Sequence, residues 1–139
     1  MATDTAELAE LREFVERLQR DVAGVDPAAI IGIYDLEVEG WVVEPSPDRL
    51  EPPEDFGPTG MVGRIYGSDF LMLSGDEPPD GLAWLADRVQ DDVMGHLMQS
   101  WPDVDQGGRT MHLEPIVHHG LVVWGHRSEP VCAIGELRR

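Results

Sequence analysis

Residues 44–58, EPSPDRLEPPEDFGP, hold five prolines and five acids, and this stretch limits the fold more than any other. Proline carries no N–H for a central strand and breaks the interior of a helix, so no long regular element crosses it. An exposed acidic loop is expected here, long for a chain of 139 residues. Residues 1–139 read as a single domain with this loop at 44–58.

The segments on either side show two periods. Leu8, Leu11, Val15, Leu18 and Val22 repeat at three and four, which predicts one amphipathic helix ending near Gly24. Asp4 and Glu7 have capping-box spacing, and Glu13 precedes Arg17 by four residues, as Glu16 precedes Arg20, in the favourable order. The stripe is a core face or a seam for dimerisation through this helix. Asp26-Pro27 has the chemistry of one short helical turn. Ile30 to Tyr34, then Leu36 and Val38 among Asp35, Glu37 and Glu39, alternate as a strand does, and Gly40 to Val43 continue it or open a paired strand. Met61 to Tyr66 and Phe70 to Leu73 predict a hairpin turning at Gly67-Ser68-Asp69.

A second breaker cluster, SGDEPPDG at 74–81, places an N-cap at Asp80. Leu82, Leu85, Ala86, Val89, Val93 and Leu97 then follow helical spacing until Trp101-Pro102 closes the helix. Thr110 to Val117, Leu121 to Trp124 and Val131 to Ile134 read as strands, with turns at His119-Gly120 and 127–130. The expected class is α+β, with two amphipathic helices packed on a mainly antiparallel sheet of four to six short strands.

Charge bears on function. The chain has 27 acids against 10 cations, all Arg, for a formal charge of −17. Residues 35–80 alone carry −10, against −4 before them and −3 after. A surface so acidic argues against direct nucleic-acid or anionic-membrane binding, which requires clustered cations, and fits a basic protein partner, a crowded or salty cytosol, or solubility alone. With no membrane-length apolar run and one cysteine, Cys132, the chain reads as cytoplasmic.

The stretch Gln90 to Leu137 carries Trp101-Pro102, then His112-Leu113-Glu114-Pro115, Gly120, Val123-Trp124 and finally Ile134-Gly135-Glu136-Leu137. It resembles the C-terminal part of small uncharacterised actinobacterial proteins with a W-P-x-C-P-x-H segment before a strand and a W-x-C-P segment after it. The resemblance implies no established activity, and its Cys/His spacing implies a structural metal knuckle. Here Val104 stands at the first cysteine and His126 at the later one.

His112 and His118 are six residues apart, so on one continuous strand they share a face that His126 reaches from the returning strand. This is the alternative, metal-binding reading, though the recognisable zinc spacings are missing and no cofactor is expected. His96 follows Asp92 by four residues, a minimal acid/base pair without an identifiable nucleophile. Cys132 lies in an apolar run, which suits a buried side chain. No phosphate-cradling glycine motif is present, and the Lys-dependent one is impossible here. Trp84 and Trp124 read as core, whereas Trp41 and Trp101, bordering Gly and Pro, read as interface anchors.

The expected function is a non-enzymatic protein-binding, adaptor or inhibitor-type module that presents Trp41, Glu44, Asp48, Glu51, Glu54, Asp55 and Trp101 to a basic partner. The alternatives are a metal site on His112, His118 and His126, or a small ligand-binding domain or enzyme with an unrecognised site.

Overall fold

In the computed structural model, residues 5–72 and 80–137 are described. Asp4, Leu73 and the breaker cluster at 74–79 lie outside them. The first apolar stripe forms α1 (Thr5–Val25), with Leu11, Val15, Leu18 and Val22 buried, Phe14 beside them and Leu8 half-buried. Glu13 and Arg17 pair on its exposed face. The second stripe forms α2 (Asp80–Leu97), whose Leu82, Leu85, Ala86, Val89 and Val93 join the same core. Burying each such Leu or Val is worth roughly 1.5–3 kcal/mol, which is why two propensity-neutral helices hold.

Among the described residues there are nine strands: β1 (Gly32–Asp35), β2 (Gly40–Val43), β3 (Met61–Ile65), β4 (Ser68–Leu71), β5 (Asp103–Gln106), β6 (Arg109–His112), β7 (Glu114–His118), β8 (Leu121–His126) and β9 (Glu129–Ala133). Every pairing is antiparallel. The fold is α+β with helices packed on sheets. One sheet has four strands in the order β2-β1-β3-β4, and the other strands form the β5-β6 hairpin and the β7-β8-β9 sheet.

Several boundaries differ from the sequence expectation. The alternation Leu36, Val38 belongs to a turn, not a strand: Glu39 takes φ 54°, and Val38 is 63% exposed. Asp26-Pro27 does form the expected single short turn: the Ala29 N–H donates to the Asp26 carbonyl at 3.1 Å and the Asp26 carboxylate accepts the Ala28 N–H as a cap does. The β3–β4 turn falls on Tyr66-Gly67, both at positive φ, so Ser68 and Asp69 lie in β4. The strand expected over 110–117 breaks at Leu113, whose side chain is buried and whose N–H donates to the Pro102 carbonyl. That bond closes the base of the β5-β6 hairpin, one pair beyond Asp103 and His112, and β5 itself carries no apolar alternation that would have announced it.

Two buried polar side chains organise the C-terminal half. Gln90 donates to the Trp101 and Leu113 carbonyls at 3.1 and 2.6 Å, joining α2 to both ends of the β5-β6 hairpin. Asp21 of α1 accepts from the Trp124 indole N–H at 2.8 Å and from the Gly135 and Leu137 amides at 2.6 and 3.1 Å. These three donors satisfy a carboxylate that is only 4% exposed.

Candidate interaction surface

The acidic loop is fastened to the sheet at several points. A short 3-10 turn, Pro47–Arg49, opens it with proline at the helix start, the position in a helix where proline is tolerated. Arg64 of β3, 4% exposed, holds the end of this turn and the residues just after it. Its guanidinium donates to both Asp69 oxygens at 2.6 and 2.8 Å, and the remaining Nη1 donates to the carbonyls of Arg49 and Glu51, each at 2.7 Å. The Glu51 carboxylate lies 3.5 Å from the same nitrogen. Bonding to Asp69, and then the nearby Asp69 and Glu51 charges, hold the Arg64 pKa above the ordinary arginine value against the opposing effect of burial.

Trp41 completes this clamp. Arg64 lies over its ring at 5.0 Å, Tyr34 meets it edge-on at 5.0 Å, and its indole N–H donates to the Leu50 carbonyl at 3.0 Å. The half-buried Trp41 is therefore a fastener of the loop, with its polar edge already engaged. On the outside of the clamped segment Glu44, Asp48, Glu51, Glu54 and Asp55 are all exposed. A hydrogen bond from Ser46, then one from its own backbone, holds the Asp48 carboxyl below the usual carboxylate range, so it is ionised at neutral pH.

Other expected site residues fall elsewhere. Trp101 is 6% exposed and meets Trp124 edge-on at 5.5 Å in the core, so the structure corrects its reading as a surface anchor. Its neighbour Pro102 is buried as well and leads into the largely exposed β5-β6 hairpin. His112 and His118 sit on β6 and β7, in different sheets, because the chain breaks at Leu113. His112 Nδ1 lies 3.0 Å from Asp103 and 2.9 Å from Ser100, while His126 Nδ1 contacts the His112 carbonyl at 3.2 Å. His118 meets His119 instead. Among the described residues no group of three or more His, Cys, Asp or Glu side chains is placed to hold a metal ion.

His96 stacks on Tyr66 at 3.8 Å, while Asp92, its expected acid/base partner, bonds Arg88. The Tyr66 hydroxyl donates to Asp26 at 3.0 Å, and burial followed by this bond pushes its pKa well up. Burial, then the Asp21 and Glu136 charges, raises the Cys132 thiol, which keeps it protonated.

Sequence reasoning passed over Arg64. The available signal was a lone cation in the strand Met61–Ile65, preceded by an acid-rich loop in a chain short of cations. No protein-family model matches the chain, and neither a curated protein nor a solved structure matches it.

Proposed function

We propose that this protein is a non-enzymatic binding module whose acidic loop contacts a basic protein. The supporting observation is the Arg64 clamp: its buried guanidinium holds two loop carbonyls, while five loop carboxylates are exposed to solvent. A loop held this way loses less conformational entropy on binding than a free one, and its charge accelerates encounter with a cationic surface. Exposed charge pairs are screened by salt, so complexes of this kind weaken as ionic strength rises.

The test is affinity capture with the full chain at low salt, followed by a salt gradient. A basic protein released by salt, and not captured by the combined variant Glu44→Gln, Asp48→Asn, Glu51→Gln, Glu54→Gln and Asp55→Asn, is the expected result. Undiminished capture by that variant overturns the reading.

A further inference from the structure

A groove of about 880 Å³ runs between the β5-β6 hairpin and β9, lined by all four residues of β5 with Val131, Cys132 and Glu136. Among the described residues β5 pairs only with β6, so its other edge borders this groove. The register fixes which backbone groups that edge offers. Gln106 and Arg109 flank the two-residue turn Gly107-Gly108, both at positive φ, and so form a hydrogen-bonded pair. Antiparallel pairing alternates, which makes Val104 and Met111 the next bonded pair. The N–H and C=O groups of Asp103 and Asp105 therefore point away from β6.

The opposite wall is unsuited to extending its own sheet. His126 and Glu129 flank the turn Arg127-Ser128, again at positive φ, so the next pair, Gly125 and Pro130, turns its backbone outward. There β9 presents a proline, which has no N–H to give and blunts the edge. The four residues of β5 include no proline.

Side chains select the occupant. Asp103 and Asp105, two apart, share one face with their cross-strand neighbours His112 and Thr110, which they bond. Val104 turns to the opposite face and packs with Met111 against the core. A strand added beside β5 places residues next to these three positions, and its own side chains alternate in the same way.

We infer that this groove binds an extended segment of a basic protein as an added strand on β5, with Lys or Arg beside Asp103 and Asp105 and an apolar residue beside Val104. The inference rests on the basic-partner reading above and adds a second surface and a cation-apolar-cation pattern to it. Main-chain bonds supply affinity in such strand addition, and the alternating side chains supply selection.

The test titrates the nitrogen-15-labelled full chain with a short capped peptide that alternates valine and lysine. Shifts at the 103–106 amides with slowed exchange at Asp103 and Asp105 are expected. N-methylating the peptide groups that face β5 weakens binding about tenfold, and Asp103→Asn with Asp105→Asn weakens it about fivefold. Equal binding of an N-methylated or a lysine-clustered peptide, or no binding, overturns the inference. Shifts confined to 44–58 overturn it while leaving the loop reading intact. Groove binding together with undiminished partner capture by the loop variant supports the groove and removes the loop reading.

Discussion

Arg64 and Asp21 are each 4% exposed, and each ties an irregular segment to the core. Arg64 does so with a counterion: Asp69 neutralises it, and the nitrogen left over holds two loop carbonyls. Asp21 works through neutral donors, one indole and two amides of the segment after β9. The difference lies in what each leaves behind when removed. Losing Arg64 frees carbonyls that lie in an exposed loop and can turn to water. Losing Asp21 strands the indole N–H of Trp124, which is fully buried. The acidic loop is thus a fitting attached to the sheet, whereas the Asp21 junction is part of the core.

The strongest way to break this comparison is Asp21→Ala. Orphaning a buried indole N–H and two amides costs about 3–4 kcal/mol, a fall of roughly 10 °C in Tm, seen as a shift of the whole unfolding transition. Asp21→Asn costs less, since its carbonyl keeps two donors and its amide group opposes only the third. Arg64→Met is expected to cost about 2 kcal/mol and to raise hydrogen exchange first in residues 41–51. If Arg64→Met proved the more damaging, the loop would belong to the core after all. Trp41→Phe keeps an aromatic ring beside Tyr34 but removes the bond to Leu50 and part of the surface under Arg64, for a loss of about 1 kcal/mol in chemical denaturation.

The smallest effects are electrostatic. Asp48 has a lowered pKa, so its contribution is present above the ordinary carboxylate range and fades as pH falls through its folded value. Asp87 and Asp92 on α2 are raised, chiefly by burial, so their protonated forms favour folding and that contribution is lost as pH rises through their folded values. A carboxyl NMR titration is expected to find Asp48 ionising first on raising the pH, with Asp87 and Asp92 later. The reverse order would mean that the loop hydrogen bond from Ser46 is not held in solution.

Both helices could be read from sequence because Leu11, Val15, Leu18 and Val22, and Leu85, Val89 and Val93, repeat with a period that packing then uses. The loop could be read as well, since its prolines exclude the alternatives. The alternation at Leu36 and Val38 misled because period two is also compatible with a turn when a residue such as Glu39 takes positive φ. Trp101 misled because a tryptophan beside proline looks exposed until its partner Trp124, 23 residues later, is known. The five acids of the loop could be named in advance, but the clamp could not. Arg64 acts through backbone carbonyls, which no side-chain pattern marks, and the free edge of β5 depends on which strands pair.

The Asp21 junction also orders events in time. Its three bonds span 103, 114 and 116 residues, so this carboxylate meets its last partner only when residue 137 has been made. Until then α1 has its apolar stripe but not the segment whose amides bond Asp21. Contacts of such long reach slow folding, because a large loop must close before any of them forms. For this chain, α1 is secured by residues made 103, 114 and 116 positions after its own Asp21.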